Sequence, residues 1–294
     1  MKLGIFADGK WGLFFLKKII KNKSFKVKFI CGRANSDHSI KKIALNNKKP
    51  FFKFKNIKSN YAFNKIKSFD TDLLVSMSYD QIFDKKLITL CKIKPINCHA
   101  GMLPKYRGRN VINWAIINGE KKIGITVHFI DNKIDTGNII DQKILKISIN
   151  DDYNSILNKC YLECPKLLMK SLKKLLKKNN IKGIVQKKIG KGFYCKKRVK
   201  GDEIIDLNNK TKYLNNFIRA LTFPGPNARF QKGKNKISFI KSQILEKKRI
   251  SNEYKIGQII NFNGKYFDIK TQDGAIRILK WKTNTKLFKG LVLR

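Results

Sequence analysis

The 294 residues are enough for one large domain or two ordinary ones, and a content of 42% hydrophobic and 11% aromatic residues is that of a globular protein with a real core. No apolar run approaches the ~20 residues of a membrane span, and the start MKLGIFADGKWGLFF breaks at Asp8 and Lys10 where a signal core would continue, so a cytoplasmic protein without a membrane partner is expected. The net charge of +45 rests on 65 Lys and Arg residues, only nine of them Arg, spread along the chain; this reads as compositional bias on solvated faces rather than a clustered, Arg-using nucleic-acid surface, and it is compatible with steering of phosphate-bearing substrates.

Lys2 to Phe6 reads as a first strand, followed by a turn at Asp8-Gly9 and a helix from Trp11 to Ile20 with Gly12 in its first turn. The glycines do not complete a G-x-G-x-x-G, so a nicotinamide cofactor is not indicated. The helix N-terminus can still receive a phosphate, with Lys10 nearby. A strand Lys26 to Cys31, a helix Ser39 to Asn46, a short strand Phe51 to Phe54, a helix Tyr61 to Ser68 and an apolar strand Leu73 to Ser76 follow. Such alternation predicts an α/β fold with an open, mainly parallel, Rossmann-like sheet and ligands near the carboxyl ends of its strands.

A strand from Lys94 to His99 puts Asn97 and His99 two residues apart, so their side chains leave one face and can address one substrate atom. An imidazole can take a proton near neutral pH and then donate as imidazolium. An amide can donate to an oxygen that is gaining negative charge, and Asp135, in the loop after the next strand, can orient the imidazole. The same residues also fit a capped strand end and an ordinary turn. What favours a site is the long polar loop beside the strand, with Gly101, Leu103-Pro104 and Lys105-Tyr106-Arg107-Gly108-Arg109. Gly108 to Gly119 reads as a helix with Trp114 packed inward. Ile123 to Ile130 reads as a strand in which His128 is structural and outside the site, and His38 reads as a surface residue.

A strand Ile139 to Ile147 leads to a helix Asp151 to Asn179, whose Leu157, Cys160, Cys164, Leu168, Leu172 and Leu175 form a stripe at spacings of three and four. Pro165 is expected to kink or divide that helix. The six cysteines contain no C-x-x-C pair and Cys160 and Cys164 read as a buried face, so no structural metal is expected. Gly183 to Phe193 resembles a hairpin, and a domain boundary near Arg198 divides the chain into residues 1–197 and 198–294. Beyond it come a helix Lys210 to Ala220 and short strands Ile237 to Ile244, Gly257 to Phe262, Tyr266 to Lys270 and Ala275 to Trp281, with turns at Asn263-Gly264 and Asp273-Gly274. That pattern predicts a small OB-like β-barrel.

His-x-x-x-Leu-Pro-x-Tyr-Arg-Gly from His99, preceded by Asn97 and followed by Gly-Ile-Thr-Val-His and Asp-Thr-Gly, resembles the 10-formyltetrahydrofolate-dependent formyltransferases. Ile218-Arg219-Ala220-Leu221 and the following Pro-Gly pair resemble the start of the C-terminal domain of the methionyl-tRNA and some nucleotide-sugar enzymes of that family. The resemblance implies a catalytic domain over 1–197, 10-formyltetrahydrofolate as co-substrate, and the family's Asn, His and Asp at Asn97, His99 and Asp135. It also implies a pterin-holding loop with Met77, Ser78 and Tyr79, largely through backbone contacts, unless Met77 and Tyr79 simply cover the sheet edge. Asp131 and Ile134 are implied on the cofactor side, and Lys10, Arg107, Arg109 and Asn110 on the substrate side.

Two features separate the chain from the methionyl-tRNA enzymes it resembles. Those typically carry Ser where Gly101 stands and Gly-Ala-Ala-Pro where Gly108-Arg109-Asn110-Val111 follows the arginine, and they insert a long basic loop after the second strand, where only Gly32 to His38 is present. The expected acceptor is therefore the amine of a nucleotide-linked amino sugar, with homodimerisation left open. Methionyl-tRNA is the alternative acceptor, and a nucleic-acid-binding protein without catalysis is the alternative of a different class. A purine-pathway glycinamide enzyme is disfavoured because those generally lack the C-terminal domain.

Overall fold

Leu3, Gly4, Ile5, Phe6 and Ala7 are all buried in the first strand, as a run of such residues requires when a strand is covered on both faces. The computed structural model describes residues 1–36, 38–178, 181–245, 251 and 253–293. Asp37 in the link after the second strand, Asn179 at the end of the predicted long helix and Arg294 at the end of the predicted second domain lie outside the described residues. In chain order the elements are β1 (Lys2–Ala7), α1 (Gly9–Ile19), β2 (Lys26–Gly32), α2 (His38–Asn46), β3 (Phe51–Lys53), α3 (Asn60–Lys67), β4 (Leu73–Met77), α4 (Lys85–Ile88) and β5 (Ile96–His99). They continue with β6 (Arg107–Gly108), α5 (Val111–Ile117), β7 (Lys122–Phe129), β8 (Ile139–Lys146), α6 (Tyr153–Lys177), β9 (Tyr194–Cys195), α7 (Thr211–Ala220), β10 (Ala228–Lys232), β11 (Asn235–Ile244), β12 (Ile259–Phe262), β13 (Phe267–Lys270) and β14 (Ala275–Thr283).

The chain divides into two compact units. One comprises Met1–Gly108, Ile123–Leu145 and Asn158–Cys195; the other comprises Arg109–Lys122, Lys146–Leu157 and Lys196–Arg294. The first unit is built on a seven-stranded sheet in the order β3-β2-β1-β4-β5-β7-β8. β1, β2, β3, β4 and β5 pair in parallel, and β7 runs antiparallel to β5. The strand order reverses between β1 and β4, which marks the carboxyl ends of those two strands as the crevice where open α/β sheets take ligands. Phe6, Phe29, Phe54, Phe83 and Leu74 form one side of the core. α1 buries Gly12, Phe15, Leu16 and Ile19 at helical spacing, which leaves Lys10, Leu13 and Phe14 off that face. The second unit carries a five-stranded antiparallel sheet in the order β10-β11-β14-β13-β12. The expected architecture, a mainly parallel Rossmann-like sheet with a C-terminal β domain, is the one the chain adopts.

Several local expectations are corrected. α6 runs as one helix through Pro165, so the division expected there does not occur. An interior proline costs a helix ~3 kcal/mol, but Cys160, Cys164, Leu168, Leu172 and Leu175 are buried along one stripe on both sides of it, and the helix is tied to the sheet on both sides of Pro165. Cys98 Sγ meets Cys164 O at 3.7 Å and Ser171 Oγ donates to Asp141 Oδ2 at 2.9 Å. Gly183 to Phe193 is not a hairpin: Gln186 to Lys188 form a single 3-10 turn, and β9 pairs in parallel with β6. Gln186, only 2% exposed, spends its amide on residues far upstream, which draws the segment across the sheet end instead of back on itself. In the second unit Trp114 is half-buried, because its indole N–H donates to Lys196 O at 2.9 Å and its face carries the Arg198 guanidinium at 5.3 Å. α4, β6, β9 and β10 had no counterpart among the predicted elements.

Candidate active site

β5 supplies the first two side chains. Its residues alternate, so Asn97 and His99 leave one face while Cys98 turns to α6. In the pairing with β7, Asn97 stands opposite His128 and His99 opposite Thr126; directly opposed residues share a face. Beyond β7 the chain turns through Asp131, whose carboxylate accepts from Thr136 Oγ1 at 2.6 Å and from Lys133 N at 3.2 Å. Asp135 sits in this turn at φ +53°. Gly137 closes it, and no other residue would serve, since a Cβ there would collide with the Phe129 carbonyl.

Four side chains meet. His99 Nδ1 is 3.6 Å from Asp135 Oδ2, and His128 Nε2 is 3.4 Å from Asp135 Oδ1. Asn97 joins through His128, its Nδ2 lying 3.3 Å from His128 Nε2. The other imidazole nitrogens are held by main chain: His99 Nε2 donates to Tyr106 O at 2.7 Å and His128 Nδ1 donates to Phe129 O at 2.7 Å. A carbonyl oxygen only accepts, so these two contacts put a proton on His99 Nε2 and on His128 Nδ1. Both remaining ring nitrogens then face one carboxylate. Two lone pairs there would repel it, whereas a proton on either ring makes a charge-assisted contact.

The carboxylate is fastened from behind. Gly108 N donates to Asp135 Oδ2 at 2.9 Å, and Gln186 Nε2 donates to Asp135 O at 2.9 Å and to Gly137 O at 2.8 Å. Burial by itself would raise the Asp135 carboxyl. The His99 charge, the hydrogen bond and charge of His128 and the Gly108 N–H outweigh it and hold the group well below the usual carboxylate range. Gly101 sets the opposite wall, because a Cβ there would collide with His99 Nε2 and Tyr106 O, the two atoms whose contact orients the ring. Burial pushes the Cys160 and Cys31 thiols up to about 12, which disfavours their thiolate forms.

The remaining predicted residues are distributed differently. Met77 is 1% exposed at the end of β4, and the Tyr79 ring packs on Phe6 and Phe83, so both side chains cover the sheet. Ser78 adopts φ +62° and is gripped by Arg33, which donates to Ser78 O at 2.8 Å and to Ser78 Oγ at 3.1 Å. Asp131 braces its own turn, and Ile134 is 48% exposed. Arg107 is committed to Gln186, its Nε and Nη2 donating to Oε1 at 3.1 and 2.6 Å. Lys10 is exposed on α1. Arg109 and Asn110 belong to the second unit, where Asn110 Oδ1 accepts from Arg198 N at 3.0 Å.

His128, Tyr106 and Gln186 escaped the sequence reading. For His128 a signal existed, a polar residue in an otherwise buried strand, but its partner depended on a register that a long loop left open. For Tyr106 the contributing atom is a carbonyl, which carries no mark in sequence.

Residues 16–172 match the family model described as formyl transferase, and residues 197–288 match that of the formyl transferase C-terminal domain. The chain belongs to the formyltransferase family. Within that enzyme family, the bifunctional polymyxin resistance protein ArnA of Wigglesworthia glossinidia brevipalpis is 34% identical over 273 residues, 90% of this chain but 40% of ArnA, so the chain spans less than half of that relative. A methionyl-tRNA formyltransferase of Thermodesulfovibrio yellowstonii is 32% identical over 242 residues, covering 82% of this chain and 75% of that protein. Among solved structures, an N-formyltransferase from Helicobacter canadensis in complex with folinic acid and dTDP-3-aminofucose superposes with a TM-score of 0.66 at 25% identity, over 96% of this chain and all of that one. The sugar 3N-formyl transferase WlaRD shares the fold, with a TM-score of 0.69 at 24% identity over 98% and 99% of the two chains. No helix among the described residues of this formyltransferase is long and apolar enough to cross a membrane.

Proposed function

We propose that this formyltransferase moves a formyl group from 10-formyltetrahydrofolate to the amine of a nucleotide-linked amino sugar in the cytoplasm, with residues 1–197 as the catalytic domain and 198–294 as an OB-like domain. 10-Formyltetrahydrofolate supplies the formyl carbon. With Met77 and Tyr79 turned inward, the loop after β4 offers a pterin its main chain, and the exposed Ile134 offers apolar surface from the loop after β7. The neutral amine attacks the formyl carbon; a C–N bond forms to the acceptor, the C–N bond to the folate nitrogen breaks, and the amine's proton ends on that leaving nitrogen. His99 Nδ1 lies 3.6 Å from Asp135 Oδ2; when the neutral ring carries its proton on Nδ1, toward that carboxylate, Nε2 gives up its contact with Tyr106 O and takes the amine's proton. Asn97 Nδ2 donates to the formyl oxygen as it becomes negative.

The observation that carries the choice of acceptor is the link between β2 and α2. β2 ends at Gly32 and α2 begins at His38, so no long basic loop follows the second strand. Likeness over the full length of an enzyme solved with dTDP-3-aminofucose supports the same reading. Methionyl-tRNA is the second reading, favoured by the 32% identical relatives and the net charge of +45. The test is formyl transfer at physiological salt to a dTDP-linked amino sugar and, in parallel, to methionine-charged initiator tRNA. Low salt is uninformative, because phosphate contacts then bind RNA on charge alone. Efficient formylation of the tRNA with none of the sugar would overturn the proposal.

A further inference from the structure

Arg107 stands in the loop after β5, and its guanidinium is spent inside the protein. Its Nε and Nη2 converge on Gln186 Oε1 at 3.1 and 2.6 Å, and Gln186 Nε2 donates onward to Asp135 O at 2.9 Å and to Gly137 O at 2.8 Å. A carboxamide has two N–H donors and one oxygen with two lone pairs, so this buried side chain has every hydrogen-bonding position filled. It fits only one way round. Turned over, its NH2 would face a guanidinium that has only donors, and its oxygen would face two carbonyls. A cation on the amide oxygen also polarises the amide, and linked hydrogen bonds strengthen one another.

The main chain follows the side chains. Arg107 N donates to Phe193 O at 3.1 Å, Arg107 and Gly108 pair with Tyr194 and Cys195, and the Tyr106 ring meets Phe193 edge-on at 4.9 Å. The two neighbours of Arg107 are the residues that touch the proposed base and its carboxylate: Tyr106 O accepts from His99 Nε2 at 2.7 Å, and Gly108 N donates to Asp135 Oδ2 at 2.9 Å. Asp135 sits at φ +53°, a conformation that residues with a Cβ rarely adopt. The two Gln186 donors grip the chain on either side of Thr136 and keep it there. A shift of Arg107 or Gln186 therefore displaces the partner of the imidazole and the carboxylate together.

We infer that Arg107 and Gln186 are positioning residues for formyl transfer: the guanidinium orients the carboxamide, the carboxamide holds Asp135 in its left-handed conformation, and neither side chain contacts a substrate. The inference rests on the reading in which His99 and Asp135 serve the transfer, whichever acceptor is used, and it takes Arg107 off the substrate side.

The test is steady-state kinetics of the full chain with 10-formyltetrahydrofolate and whichever of a dTDP-linked amino sugar and methionine-charged initiator tRNA the wild type formylates, each substrate varied in turn. Gln186→Glu keeps the size of the side chain and its contact with Arg107 but loses both donors. It should lower kcat about tenfold or more, as a small misplacement of reacting groups does, with KM for both substrates within about twofold of wild type. Arg107→Met should do the same, and Arg107→Lys, which keeps the charge but not the planar fork, should restore part of the loss. Titration with 5-formyltetrahydrofolate checks that each variant is folded; if Gln186→Glu fails to bind it, the two Arg107 variants decide, and loss of folding in all three overturns the inference, since the pair would then hold the fold rather than the site. A raised acceptor KM with intact kcat in Arg107→Met makes Arg107 an acceptor-binding residue and overturns it too. Asp135→Asn separates the two readings. Wild-type turnover in that variant, or a wild type that formylates neither acceptor, overturns the underlying reading and the inference with it. An inactive Asp135→Asn beside fully active Gln186→Glu and Arg107→Met overturns the positioning role alone.

Discussion

His128 stands directly across the sheet from Asn97, and its Nε2 lies 3.3 Å from the Asn97 amide nitrogen and 3.4 Å from Asp135 Oδ1. One ring therefore touches both the amide proposed to hold the oxyanion and the carboxylate proposed to orient the base. His128→Phe keeps the ring volume but strips both groups of a partner. Leaving a buried polar group unpartnered costs ~1–3 kcal/mol, so turnover should fall about tenfold or more, with the acid limb of the pH–rate profile displaced. Wild-type turnover with an unmoved profile would make His128 a packing residue.

Asn97→Asp nearly preserves shape but replaces a donor by an acceptor-only carboxylate where negative charge develops. Turnover should drop while the apparent binding of both substrates changes little. Steady-state kinetics with each substrate varied checks this, and intact turnover would reduce Asn97 to a strand-end residue.

Gly101→Ala tests how the His99 ring is held. The added methyl collides with His99 Nε2 and Tyr106 O, so the ring or the loop must shift, and a small misplacement of a reacting group is costly. We expect a loss of about tenfold or more in kcat, with the melting temperature lowered only modestly. A variant that melts normally and turns over normally would show that the Tyr106 contact is dispensable.

Asp135 carries a pH signature. Its carboxyl is held below its ordinary value, so the folded state favours the ionised form: the resulting stability is fully present above about pH 4 and is lost as pH falls through the lower, folded value. Denaturant unfolding of wild type and Asp135→Asn should differ most near neutrality and converge in acid. A loss of activity on the acid side of neutrality would then not be due to Asp135. His99→Ala and Asp135→Asn should each cost ~100-fold or more in formyl transfer while folate still binds. A stability gap that widened in acid would contradict the assigned shift.

The alternating strands and helices of the first unit were legible because apolar runs such as Leu73 to Met77 and stripes such as Cys160, Cys164 and Leu168 carry their periods openly. Asn97 and His99 were legible for the same reason, since two residues along a strand share a face wherever the strand lies. What surrounds them was not. The Tyr106 and Phe129 carbonyls and the Gly108 N–H act through main-chain atoms that every residue has. β6 and β9 are two residues each, too short for any period to appear. Pro165 misled because local propensity was outweighed by burial on both sides of it, and Trp114 because its indole found a carbonyl and an arginine nearer the surface than the core.

The Gln186 amide that secures Asp135 O comes from 51 positions further along the chain. During synthesis the chain is made from its N-terminus and domains fold as they emerge. Asn97, His99, His128 and Asp135 can therefore be paired within the nascent sheet well before the amide that fixes their geometry has left the ribosome. A chain ending after α6 would lack the Gln186 amide that holds Asp135 O and Gly137 O, so the bracing of that loop waits on a residue made after every strand of the first sheet.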